Sequence, residues 1–250
     1  MSKVKILAHR GYLINGEPEN SIPAFQTAIH HGADGFEFDV HLTADNKFIC
    51  FHDYTLEKFG QNEAIAGLSY NELTSFELSE GIMIPSLEEI LETFGNKVIL
   101  NLEMKSLEGS EKLIEVINQY NIDRKKIIIS SFHYTPLKTF KSIDPSILTG
   151  LLCHFAKGQL ALAKKLNCDA LHPFYGVVPN EWVKISFWLT SRIHKYYAHK
   201  CFKAAKRDGI FVNPYGVNDE RFIRSTTLKE VDAIITDEVE LALKIRNEFS

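Results

Sequence analysis

What the chain lacks narrows the field first. Its four cysteines, Cys50, Cys153, Cys168 and Cys201, form no Cys-x-x-Cys pair and no dense framework, which argues against a disulfide-stapled secreted scaffold and for a reduced interior. No run of about 20 apolar residues occurs, so no transmembrane segment is expected. Met1 to Ile6 lacks the apolar core of a signal peptide, and a cytoplasmic location follows as the expectation. Cations are not in excess either: 28 Lys and Arg stand against 32 Asp and Glu, a net charge of -4. Nucleic-acid binding needs clustered cations to release counterions, so no nucleic-acid partner is expected and any phosphate handled is small. No stretch reads as a domain linker.

What is present is an ordinary globular composition, 45% hydrophobic and 24% charged over 250 residues, enough for one large core. The most informative stretch is Gly35-Phe36-Glu37-Phe38-Asp39-Val40, returning through Thr43-Ala44-Asp45-Asn46 to Phe48-Ile49-Cys50-Phe51-His52-Asp53. Alternate side chains of a strand point the same way, so Glu37 and Asp39 share one face and Phe36, Phe38 and Val40 the other. Two carboxylates that close repel unless a cation or a shared proton offsets the repulsion. Counting back across the short turn sets His52 roughly opposite Glu37. A plain amphipathic hairpin with its acids in water accounts for this segment equally well.

Val4 to Ala8 reads as a buried strand ending at His9-Arg10-Gly11, where the glycine permits a sharp exit. Glu19-Asn20-Ser21 precedes a helical pattern, with Asn20 or Ser21 as its cap. Residues 54 to 95 are an excursion, in which Ser86 and Glu89 have the spacing of a capping box. Val98 to Lys105 is a strand that sets Glu103 and Lys105 on one face. From there strands at Ile127 to Phe132, Ile147 to Cys153, Ala170 to Phe174, Ile210 to Tyr215 and Ala233 to Asp237 alternate with helices. With the His52 strand as an antiparallel return, about eight parallel strands remain. The predicted fold is therefore α/β, a single (β/α)8 TIM barrel over 1–250 with a small insertion after the early hairpin. The aromatic stretch 177–195 follows a strand end, where a barrel places a lid or substrate wall; an amphipathic helix packed on the barrel is the other reading.

His9, Arg10, Glu37, Asp39, His52, Glu103 and Lys105 all fall at strand ends. Three carboxylates suit a hard divalent ion, Mg²⁺ or Ca²⁺, which leaves the imidazoles free for proton transfer. Arg10 and Lys105 supply fixed positive charge for an anionic substrate. Together these groups describe hydrolysis of a phosphodiester, one imidazole taking a proton from the nucleophile and the other returning one to the leaving alcohol.

The ordered set His9-Arg10-Gly11, Glu19-Asn20-Ser21, Glu37-Phe38-Asp39, His52-Asp53 and Glu103-Met104-Lys105 resembles the glycerophosphodiester phosphodiesterase family, within the phospholipase-C-like phosphodiesterase barrels. Ser130-Ser131-Phe132, Leu171-His172-Pro173, Val217-Asn218 and Ile234-Ile235-Thr236-Asp237 extend the likeness over nearly the whole chain. The resemblance implies His9 and His52 as the acid/base pair and Glu37, Asp39 and Glu103 as metal ligands. It also implies Arg10 and Lys105 as phosphate holders. The implied substrate is a small glycerophosphodiester, split into an alcohol and glycerol 3-phosphate, with the glycerol hydroxyl as a candidate first nucleophile. The late strand departs from the family: Asn213-Pro214-Tyr215-Gly216 stands where a tryptophan usually precedes Val-Asn, so the pocket wall and head-group preference are expected to differ. Other readings are a lysophospholipid substrate, with 177–195 then touching an acyl chain or the membrane surface, a catalytically silent phosphate binder, and a lyase or isomerase on the same metal site.

Overall fold

Runs such as Lys5-Ile6-Leu7-Ala8 and Ile127-Ile128-Ile129 have too few polar positions for a sheet with one wet face, and need cover on both sides. The computed structural model describes residues 3–154, 156–176, 198–229 and 231–249. Its strands are β1 (Lys5–His9), β2 (Gly35–Leu42), β3 (Phe48–Cys50), β4 (Glu77–Ser79), β5 (Ile82–Met83), β6 (Ile99–Met104), β7 (Ile127–Ser131), β8 (Leu148–Cys153), β9 (Ala170–Pro173), β10 (Phe211–Val212) and β11 (Ala233–Thr236). Its helices are α1 (Ile22–His30), α2 (Tyr70–Leu73), α3 (Leu87–Phe94), α4 (Ser110–Gln119), α5 (Tyr134–Ile143), α6 (Gln159–Lys165), α7 (198–207), α8 (Glu220–Leu228) and α9 (Val239–Glu248). The aromatic stretch 177–195 lies outside the described residues.

The strands run in the order β10-β9-β8-β7-β6-β2-β1-β11, with β3 antiparallel on β2. Every other neighbour on this path is parallel. Between β10 and β11 the wall is closed by backbone bonds, Asp232 N–H to Val212 O at 3.0 Å and Ile235 N–H to Pro214 O at 2.9 Å, and by Tyr215, which bridges Phe174 and Ile235. The result is a nearly closed parallel barrel of the (β/α)8 type. Outward residues Phe36, Phe38 and Val40 pack with Phe25 of α1 and with Leu87, Ile90, Leu91 and Phe94 of α3. Inside, Leu7, Ala233 and Ile235 form a small plug with Ile99 and Tyr215 against it. There is no slack: a Cβ on Gly35 would lie 1.9 Å from the Ile99 carbonyl oxygen.

Local chemistry sets the element ends. Ser21 caps α1 by accepting from the Ala24 N–H, and Ser86 and Glu89 form the capping box of α3. The excursion from residue 54 packs Leu56, Ile65, Leu73 and Ile84 against Ile49 and Phe51 of the hairpin return, in an apolar cluster of their own. The last part of the expected 54–95 span, α3, instead buries its face in the barrel cluster.

Two details differ from the sequence-based expectation. The strand expected over Ile210 to Tyr215 is only Phe211–Val212: Asn213 and Tyr215 still donate to Leu171 O and Pro173 O, but Pro173 has no N–H for the β9 ladder and Pro214 none toward β11. The hairpin register is one residue off. Thr43 pairs with Lys47 around a three-residue loop in which Asn46 takes φ +59°, so Val40 faces Cys50. His52 is thereby aligned with Phe38 rather than Glu37, and the chain leaves the sheet after Phe51 donates to Asp39 O.

Phe36 is fully buried and its ring stacks on Phe25 with centroids 4.1 Å apart. Phe36→Ala is expected to cost about 3–5 kcal/mol by loss of transfer energy and creation of a cavity, read as a lower urea midpoint at constant slope.

Candidate active site

The carboxyl ends of the strands carry the polar groups. The β1–β2 register sets His9 beside Glu37, and the β2–β6 register sets Asp39 beside Glu103. Their inward side chains therefore converge from three neighbouring strands. One oxygen from each of Glu37, Asp39 and Glu103 lies within 4.8 Å of the others. Glu37 and Asp39 are buried, at 4% and 0% exposure, which removes the plain hairpin reading with acids in water.

Fixed cations counter this crowding. Lys105 Nζ lies 2.9 Å from Asp39 Oδ1 and 2.7 Å from Glu103 Oε1. Arg10 Nε is 3.2 Å from Asp39 Oδ2, its backbone N–H donates to Glu37 Oε2 at 3.2 Å, and its guanidinium donates to Glu19 at 3.1 Å. Arg10 sits at φ +53°, a left-handed conformation that a side chain adopts only when its surroundings hold it. The chain can turn there because Gly11, at φ +94°, packs directly on Ala24, where a Cβ would come within 2.6 Å. Asn20 seats Asp39 from both sides, donating to Oδ2 at 2.8 Å and accepting its N–H at 3.1 Å, while Cys50 Sγ donates to the same Asn20 oxygen at 3.3 Å.

The titration of the acids follows. Burial, reinforced by the Asp39 charge, pushes Glu37 up to about 8. Burial and Asp39 likewise raise Glu103. Asp39 goes the other way: burial alone would raise it, but Lys105 and Arg10 hold it below its ordinary value. Three crowded carboxylates with only oxygen donors fit a hard divalent cation, which would occupy the place that a proton otherwise takes on Glu37.

The two imidazoles stand above the acids. His9 Nδ1 lies 2.8 Å from Asp237 Oδ1 and its Nε2 lies 3.9 Å from Glu37 Oε2. Burial would lower His9, but the Asp237 hydrogen bond and the Glu37 charge raise it. His52 Nδ1 is 2.7 Å from Asp53 Oδ1. His9, Arg10, Glu37, His52, Glu103 and Lys105 line a common cavity of about 190 Å³, and Asp39 lies just beneath it. All seven strand-end residues are thus brought together. Sequence reasoning missed Asp237 as a partner of His9, although adjacency of the first and last barrel strands would have found it. It also missed Phe132 and His154 in the wall, for which strand-end position is the cue, whereas Tyr215 belongs to the late stretch expected to alter the pocket wall and does line the cavity. Tyr215 lies just beyond β10, in the stretch where the resemblance leads one to expect a tryptophan, and its hydroxyl is 3.4 Å from His154 Nδ1.

A parallel barrel with acids, imidazoles and cations gathered at its carboxyl mouth belongs to the class of barrel phosphodiesterases. The model of the glycerophosphoryl diester phosphodiesterase family matches residues 9–241. A glycerophosphodiester phosphodiesterase from Caldanaerobacter subterraneus subsp. tengcongensis is 31% identical, the match covering 97% of this chain and 98% of that one. One from Bacillus altitudinis is 32% identical over 98% and 99%. The crystal structure of the glycerophosphodiester phosphodiesterase from Thermotoga maritima superposes with a TM-score of 0.77 at 28% identity, covering 98% of this chain and 99% of that one. The chain belongs to the glycerophosphoryl diester phosphodiesterase family, and it is an enzyme of the phosphoric diester hydrolase class. Among the described residues no helix is long and apolar enough to cross a membrane.

The pH dependence of stability follows with its signs. Burial holds His41 down at about 4 and His172 at about 3. Below the ordinary 6.5 the unfolded chain binds two protons that these residues refuse, while Glu37, and Glu103 until it ionises, hold protons that the unfolded chain lacks, so stability rises with pH once Glu103 has lost its proton. Above 6.5 the groups held above their ordinary values, Glu37, Glu103 and His9, set the sign; the folded form binds more protons and stability falls toward pH 8. The melting temperature of the metal-free protein is expected to peak near pH 6.5 in a thermal-shift series. Added Mg²⁺ or Ca²⁺ should raise it most on the alkaline side, where Glu37 is easiest to deprotonate.

Proposed function

We propose that this chain hydrolyses glycerophosphodiesters to an alcohol and glycerol 3-phosphate, in a reaction that depends on a divalent cation. The observation that carries this reading is the meeting of three acids within 4.8 Å of one another beneath a cavity that both His9 and His52 line. Glu37, Asp39 and Glu103 would hold the ion, Mg²⁺ or Ca²⁺. When bound it supplies positive charge against the charge that grows on the phosphoryl oxygens. Arg10 and Lys105 do two jobs: they keep Asp39 ionised, and they present N–H donors toward the cavity for the phosphate. His9 and His52 work as the acid/base pair. One takes the proton of the attacking hydroxyl, and as the P–O bond to the leaving alcohol breaks the other donates a proton to that oxygen. The cavity of about 190 Å³ suits the small glycerol phosphate half of the substrate. In this reading 1–250 is one phosphodiesterase barrel, and the excursion after the hairpin is part of its mouth.

A second reading, hydrolysis of lysophospholipids, is favoured by one observation. A groove of about 750 Å³ opens from Lys105 between the excursion and the loop after β6, with Tyr54 and Leu107 exposed at its edge. That space accepts a larger and more apolar substituent than choline needs. Head-to-head rates on glycerophosphocholine and lysophosphatidylcholine, read as choline release, separate the two.

Glu37→Gln is expected to lower activity on glycerophosphocholine by at least about 10³-fold and to weaken the response to added metal. His52→Ala should lower kcat by about 10²–10⁴-fold. Chelation should abolish release of glycerol 3-phosphate and added Mg²⁺ or Ca²⁺ should restore it; full activity in chelated buffer would refute the metal-dependent mechanism.

A further inference from the structure

The acids and cations of the mouth do not account for Asp237 and Asn218. Asp237 directly follows β11, and the β1–β11 register that pairs Ala8 with Thr236 continues so that Asp237 stands beside His9. Its Oδ1 accepts from His9 Nδ1 at 2.8 Å. Its other oxygen accepts from Asn218 Nδ2, and its backbone N–H donates to Asn218 Oδ1 at 2.9 Å. The Thr236 hydroxyl lies 3.0 Å from that same Asn218 oxygen and 2.8 Å from Val217 O, and Val217 N–H in turn donates to Ile235 O at 3.4 Å. Both carboxylate oxygens are thus engaged, and the residue that engages them is sewn into the seam of the barrel. His52 has a different arrangement. Its carboxylate, Asp53, is the next residue in the chain; exposure does not separate the two carboxylates, at 44% for Asp53 and 53% for Asp237, and the difference lies in the Asn218 bonds that seat Asp237.

We propose that Asp237, seated by Asn218, is a positioning residue that fixes the ring orientation and tautomer of His9, so that Nε2 is the nitrogen presented to the ester. This rests on the reading of His9 as one of the acid/base pair. A carboxylate accepts only, so the bond to Asp237 requires the proton on Nδ1 and leaves the Nε2 lone pair toward the cavity. Nε2 is also the nitrogen on the side of Glu37, 3.9 Å away. When His9 takes up a proton, the carboxylate behind it offsets the new charge without moving. Without Asp237 the ring could equally carry its proton on Nε2, where it could not accept one from a nucleophile. A structural bolt between β11 and β1 would make the same contacts, and the test has to separate the two roles.

Three measurements on the metal-supplemented full chain do so. With sn-glycero-3-phosphocholine as substrate, Asp237→Asn is expected to lower kcat by about 10²–10⁴-fold while KM stays within about threefold, and Asn218→Ala to lower kcat by about 10–100-fold. Long-range ¹⁵N–¹H spectra of histidine-labelled protein, with the His9 signals assigned by their loss in His9→Ala, should show the Nδ1–H form in the wild type and the Nε2–H form in Asp237→Asn. Thermal melts establish that each variant is folded, and Asn218→Ala serves should Asp237→Asn not fold. Wild-type kcat in folded Asp237→Asn, or an unchanged tautomer, overturns the positioning role. His9→Ala distinguishes this from failure of the underlying reading. If His9→Ala is inactive while Asp237→Asn turns over normally, only the positioning role falls; if His9→Ala turns over normally, the acid/base reading of His9 falls with it.

Discussion

Charge crowding governs this mouth. Three carboxylates within 4.8 Å of one another, two of them buried, cannot all remain ionised in a protein interior unless positive charge is built in beside them. The chain supplies part of that charge permanently, through Lys105 and Arg10, and both converge on Asp39. Asp39 is consequently the settled anion of the three, while Glu37 and Glu103 are driven toward protonation. Against three carboxylates, Lys105 and Arg10 leave the cluster about one positive charge short, a deficit that a proton on Glu37 or a bound cation would fill. Asn20 holds Asp39 by both its side chain and its backbone, and the left-handed turn at Arg10 aims that residue back over the acids.

The barrel is what makes such crowding tolerable. Parallel strands in register deliver His9 beside Glu37 and Asp39 beside Glu103 without any loop having to fold inward. The apolar faces of the same strands, Phe36, Phe38 and Val40, are locked against α1 and α3, and this burial stabilises the strand on which the repelling acids sit. Opposite faces of β2 therefore have opposite duties, one contributing stability and the other consuming it. Tyr215 adds a further economy of parts: its backbone helps close the wall between β10 and β11 while its ring lines the cavity.

Much of this was legible from residue order. The parallel strands announce themselves as short, nearly continuous apolar runs separated by helices, and the period of two along β2 is enough to pair Glu37 with Asp39. Less legible was whatever depends on a single residue of register or on closure in three dimensions. The hairpin slipped by one because the length of its loop, with Asn46 left-handed, decides pairing and composition does not report it. The shortening of β10 was written in Pro173 and Pro214, but only the pairing of the strands makes the missing N–H groups consequential. Asp237 ends its strand as His9 ends another, yet their contact requires knowing that the eighth strand returns to the first. From residue order Cys50 was only one of four unpaired cysteines; it is buried, and it donates to the Asn20 oxygen that seats Asp39.

The bond between His9 and Asp237 joins residues 228 positions apart, across the junction of β1 and β11. His9 leaves the ribosome 228 residues ahead of Asp237, so until β11 emerges β1 has β2 on one side and an open hydrogen-bonding edge on the other. The nascent chain can pack its early strands and helices, but that imidazole gains its carboxylate only when the last strand emerges and the ring shuts. Truncated or stalled products therefore carry the acids of β2 and β6 without the final alignment of His9, and competence arrives in one late step together with the last of the fold.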